Sequence, residues 1–84
     1  MASKTLFAIY LPATQANFEV WVPNELTVRD AMQLINTVIA DREGRWFKPG
    51  LYTSIYDKAT GNELDINRLI SDYSFVNGSQ LVVI

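Results

Sequence analysis

Only one stretch of this sequence has a helical period, and the segments on both sides of it alternate. Val28, Ala31, Met32, Ile35, Val38 and Ile39 recur at the spacing that puts one apolar stripe on a helix. A helix of this length is marginal alone in water, so the stripe must dock on a partner layer. The rest of the chain offers strands for that layer. The expected architecture is therefore α+β, one helix laid across one face of a sheet.

The punctuation agrees. Thr5 to Leu11 is rich in strand-forming residues and stops at Pro12. Residues 13–17 read as a polar connection. From 18 to 22 the chain alternates, with Phe18, Val20 and Val22 on one face and Glu19 and Trp21 on the other, until Pro23 removes a ladder donor. Thr27 caps the helix and Asp30 lies in its first turn; Gly44 is its expected stop. After an irregular segment, 51–56 read as a strand, 57–62 as a turn and Glu63-Leu64 as the start of a short returning strand. Ile66, Leu69, Ile70 and Phe75 are expected to anchor a loop or 3-10 turn on the core. Asn77-Gly78 marks a tight turn, and Leu81 to Ile84 a last strand. The first and last strands are apolar on both faces, which suits parallel neighbours at the centre of a mixed four- to five-stranded sheet.

Composition excludes several functions. The chain has 84 residues, no cysteine and no histidine. Thiolate chemistry, histidine-based triads and the commonest metal ligand are therefore absent, and no catalytic, metal or cofactor site is expected. A net charge of −2 with seven Lys and Arg argues against nucleic acid. No apolar run is long enough to span a membrane, and Pro12 ends the only early apolar run too soon for a signal peptide. The expectation is a cytoplasmic, non-enzymatic domain over residues 4–84, with 1–3 a short extension, native or left from cloning.

Particular residues carry a resemblance. Val22-Pro23 followed by Thr27-Val28, the run Leu69-Ile70-Ser71-Asp72-Tyr73-Ser74-Phe75, and Leu81, Val83 and Ile84 resemble ubiquitin and the β-grasp fold over Thr5 to Ile84. The short chain, its end at the last strand and the Asp72-Tyr73, Asn77-Gly78 and Leu81 pattern look most like the small bacterial YukD/EsaB proteins of type VII (ESX-like) secretion. That resemblance implies an accessory or regulatory role without catalysis. Conjugated modifiers of this fold end in a slim Gly-Gly tail; the sequence here ends at Ile84, so conjugation and sulfur transfer are not expected. The alternative is a scaffold subunit of a multicomponent enzyme complex such as an oxygenase.

The candidate site is the sheet face away from the helix. The first strand is apolar on both faces, which leaves its facing open; with Phe7, Ile9 and Leu11 inward, alongside Phe18, Val20, Val22, Leu51, Thr53, Ile55, Leu81 and Val83, alternation sends Leu6, Tyr10, Trp21, Tyr52, Tyr56, Val82 and Ile84 outward. A solvated face is normally polar, and an apolar-aromatic one points to a protein partner, such as a cytosolic part of a secretion machinery. Self-association through this face or through the edge of the second strand is a sub-case. The plainer alternative is that the loop around Trp46 and Phe47 covers the face.

Other signals are read as structural. Arg42, Arg45 and Lys48 interleave with Trp46 and Phe47, but so few cations suit a helix C-terminus better than a phosphate site. Asp57, Glu63, Asp65 and Asp72 match no calcium loop. Asp57 and Asp65 suit turns, Asp72 with Ser71 a loop tie, and Tyr73 a packed ring donating its hydroxyl to a backbone carbonyl.

Overall fold

A computed structural model describes residues 3–43 and 54–84. Strands β1 (Lys4–Leu11) and β2 (Ala16–Pro23) form a hairpin, and helix α1 (Val28–Glu43) follows. Strand β3 (Ile55–Asp57), a 3-10 turn (Ile70–Asp72) and strand β4 (Ser79–Val83) complete the order. The sheet runs β2-β1-β4-β3, with β1 and β4 parallel at its centre and the other neighbours antiparallel. This is the expected placement of the two strands that are apolar on both faces.

The helix begins where the cap predicts. The Asp30 N–H donates to the Thr27 hydroxyl oxygen at 3.1 Å. Its other first-turn donors meet the later loop. Val28 N–H donates to the Arg68 carbonyl at 2.8 Å and Arg29 N–H to the Ile66 carbonyl at 3.1 Å. The entry is stitched from the other side as well: Ile70 N–H donates to the Leu26 carbonyl and Ser71 N–H to the Asn24 carbonyl. Of the donors that a helix N-terminus usually leaves unpaired, those of Val28 and Arg29 are thus taken by the carbonyls of Arg68 and Ile66, and that of Asp30 by its Thr27 cap.

The core lies between α1 and the inner sheet face. Phe7, Ile9, Leu11, Phe18, Val20, Val22, Ile55, Leu81 and Val83 are buried from the sheet. Val28, Ala31, Met32, Ile35 and Ile39 meet them from the helix. Each fully buried large aliphatic or Phe contributes roughly 1.5–3 kcal/mol over leaving it in water. An aromatic run closes one side: Phe75 meets the Phe7 ring edge-on at 5.1 Å, and Tyr73 stacks on Phe75 at 5.3 Å.

Several expectations are corrected. Ala16 and Asn17 belong to β2, because the connection is a turn over 12–15 in which Gln15 takes φ 55. The returning strand at 63–64 is a single bridge, Tyr56 to Glu63, so the sheet has four named strands. Leu64 is nonetheless buried, its N–H donating to the Ile55 carbonyl at 2.8 Å. Ile70 and Phe75 anchor the loop, but Ile66 and Leu69 are exposed; those two residues serve through their backbones. The Tyr73 hydroxyl accepts the Asp65 N–H at 2.9 Å, and among the described residues no carbonyl takes its proton. Asp72 does tie the loop, accepting the Leu69 N–H at 3.0 Å, and Asp57 and Asp65 each accept an N–H two residues on. Gly44, Arg45, Trp46, Phe47, Lys48 and the strand residues Leu51, Tyr52 and Thr53 lie outside the described residues.

Candidate functional site

The outer sheet face is built by alternation alone. Phe7, Ile9 and Leu11 are pulled under the helix, so Leu6, Ala8 and Tyr10 turn out, half-buried by their strand neighbours. On β2 the same rule exposes Asn17, Glu19 and Trp21. On β4 it exposes Gln80 and leaves Val82 half-buried between β1 and β3. Ile84 continues the alternation, held by reciprocal backbone bonds with Ser54 of 3.0 and 3.1 Å.

The registers show which of these side chains meet. Tyr10 lies beside Val82, and Val82 beside Tyr56, so one row of three apolar residues crosses β1, β4 and β3. Ile84 is the next outward residue along β4 and extends that group. Leu6 lies opposite Trp21 in a second group, about 13 Å along β1 from Tyr10. Between the two groups runs Glu19, Ala8 and Gln80. The face is therefore two apolar groups divided by a polar row that the small Ala8 bridges, rather than one unbroken patch. Alternation within β2 alone turns Glu19 outward, but its alignment with Ala8 and Gln80 is set by a register that spans more than sixty positions of sequence.

Exposure separates the members. Trp21 is 53% and Ile84 58% exposed, large values for residues of this size in a chain whose inward residues stay below 10%. Leu6, Tyr10 and Val82 are half-buried on the two central strands, and Tyr56 is half-buried on the edge strand β3. The Tyr56 hydroxyl donates to the Glu63 Oε1 at 3.4 Å, which keeps that ring at the rim of the face. Tyr52, the remaining residue expected here, lies outside the described residues.

Arg42 of the basic-aromatic run sits with its guanidinium 5.7 Å from the centre of the Phe18 ring, a cation–π contact at the helix end. Among the described residues no acidic cluster is arranged to hold a metal ion. No described helix is long and apolar enough to cross a membrane.

Comparison with solved structures gives the sheet-and-helix arrangement its place. The chain superposes on a ubiquitin-like domain of an Arabidopsis thaliana protein with a TM-score of 0.71, at 23% identity, over 98% of this chain and 77% of that one. The fold is ubiquitin-like. It also superposes on the EccD5 ubiquitin-like domain from Mycobacterium xenopi, with a TM-score of 0.75 and 14% identity, over 98% of this chain and 93% of that domain. A chain of an ESX-5 inner membrane complex matches with the same TM-score at 11% identity; there the likeness covers 96% of this chain and 20% of the longer one. No protein-family model and no curated protein sequence matches the chain.

Proposed function

We propose that this ubiquitin-like domain is a non-catalytic protein-interaction module, working in the cytoplasm as an accessory or regulatory component of a bacterial type VII secretion system of the YukD/EsaB kind. The observation that carries the binding role is the outer face. Leu6, Tyr10, Trp21, Tyr56, Val82 and Ile84 spend apolar area on a surface that the core does not use. The likeness to the EccD5 ubiquitin-like domain, over nearly the whole of both, supports the secretion setting. The absence of His and Cys supports a role without chemistry of its own.

The test is affinity co-purification from cells that run a type VII system, with wild type compared against Trp21→Ala and Val82→Asp. Recovery of a secretion-system component by the wild type, and its loss from both variants, supports the proposal. Recovery of a large catalytic chain instead would replace the secretion reading with the enzyme-scaffold one.

A further inference from the structure

The turn that leads into β4 is built on a dipeptide with chemistry of its own. Of the asparagines in the chain, only Asn77 is followed by glycine. The backbone nitrogen after an asparagine can attack the side-chain carbonyl and close a succinimide ring. A side chain on the following residue crowds that closure, and glycine has none. Asn77 and Gly78 are both exposed, so water and hydroxide reach the turn. In an open chain, such a pair loses ammonia without any enzyme.

The fold occupies both reacting groups. Asn77 Oδ1 accepts the Leu6 N–H at 3.0 Å, and the Gly78 N–H donates to the Leu6 carbonyl at 2.8 Å. A single residue of β1 thus holds the electrophile and the nucleophile at once. The turn is closed again from within: the Val76 N–H donates to Ser79 Oγ and the Ser79 N–H to the Val76 carbonyl, each at 3.0 Å. Two effects oppose each other here. Donation by Leu6 draws electrons from the Asn77 side-chain carbonyl, which favours attack. Attack also requires Gly78 to give up its amide proton, because the nitrogen lone pair is otherwise delocalised into the peptide bond. That proton is held by Leu6 and is released only when β4 parts from β1 at this point. The polarised carbonyl helps only a nitrogen that has already lost its proton, so the held proton decides.

We propose that Asn77-Gly78 is a self-modification site that the pairing of β1 with β4 keeps shut, and that local opening of β4 exposes it to irreversible deamidation. Hydroxide takes the Gly78 amide proton, the nitrogen bonds to Asn77 Cγ, and Nδ2 leaves as ammonia. Water then opens the ring. Cleavage of the new bond to Cγ restores the main chain with aspartate at position 77. Cleavage at the main-chain carbonyl carbon leaves isoaspartate, with the chain running through Cβ and Cγ. The two products differ in consequence. Aspartate keeps an oxygen where Oδ1 was and still accepts the Leu6 N–H. Isoaspartate turns the clasping carbonyl into main chain and inserts a methylene, about 1.5 Å of extra chain, just before β4. The parallel register that starts at Phe7–Ser79 and sets Val82 beside Tyr10 is then lost. The site acts whatever the outer face binds, so the two readings fail separately.

The test ages the intact protein in mildly alkaline buffer, from no urea to fully denaturing urea. Peptide-mapping mass spectrometry reads deamidation at each asparagine, and NMR reads hydrogen exchange at the Gly78 amide in parallel. In denaturing urea Asn77 should react ahead of every other asparagine, and Asn77→Gln, which needs a larger ring, should stop the reaction at that position. Folding should slow Asn77 at least about tenfold, and by the same factor, within about threefold, as it slows Gly78 exchange, because both reactions need the same proton. The two rates should rise together as urea increases below the unfolding transition. Refolded protein carrying isoaspartate should melt earlier and shift the Tyr10 and Val82 amides, whereas Asn77→Asp should melt near the wild type. Equal Asn77 rates in folded and unfolded protein, folded deamidation that does not follow Gly78 exchange, or a faster asparagine elsewhere in urea would overturn the proposal. So would an isoaspartate form that melts like the wild type.

Discussion

The side-chain carbonyl of Asn77 accepts the backbone N–H of Leu6 at 3.0 Å, and Gly78 beside it donates to the Leu6 carbonyl at 2.8 Å. A parallel pair of strands has no hairpin to set its register. Here the turn before β4 does so, clasping both backbone groups of a residue 71 positions earlier. The same clasp decides that Tyr10 falls beside Val82 on the outer face. Asn77→Ala should lower unfolding free energy by about 1 kcal/mol, read from the urea midpoint at unchanged slope. No change in midpoint would mean that water replaces the clasp at no cost.

Gly78→Ala tests the same turn through its backbone. Gly78 has φ 93, and a Cβ there would meet nothing within 4 Å, so the whole penalty is conformational. A loss of about 1–2 kcal/mol is expected. A neutral result would show that the turn rearranges.

Gln15 offers the opposite sign. It has φ 55 without being glycine, at the end of the β1–β2 connection. Gln15→Gly should raise stability by about 0.5–1 kcal/mol, because relief of left-handed strain exceeds the extra freedom of the unfolded chain. A drop in the thermal midpoint would contradict this.

Tyr73 is held by its hydroxyl as well as its ring. Tyr73→Phe keeps the stack on Phe75 and removes the acceptor of the Asp65 N–H. The loss should be about 0.5–1.5 kcal/mol, with faster hydrogen exchange at the Asp65 amide. Unchanged exchange there would show that the bond does not hold the loop.

These residues also show what was legible in advance. The inward set Phe18, Val20 and Val22 followed from period-two alternation, and Thr27 followed from cap chemistry, because both signals are local; the first strand, apolar on both faces, had no such signal for its facing. Ile66 and Leu69 misled because side-chain hydrophobicity says nothing about backbones recruited to helix entry. Asn77 gave no hint of its role, since its partner is distant in sequence and the bond is to an amide every residue possesses. The outer face was legible residue by residue, but its division by Glu19, Ala8 and Gln80 depends on cross-strand register. Alternation within a single strand does not contain that register.

Whether the outer face meets a secretion-system protein can be read from a photo-cross-linking side chain placed at Val82, with the same group at exposed Gln33 on α1 as the control. In cells running a type VII system, position 82 should give an adduct with a secretion-system component, absent from position 33 and abolished by Trp21→Ala. Equal adducts from both positions, or none from position 82 in cells that secrete normally, would rule out the outer face as the contact.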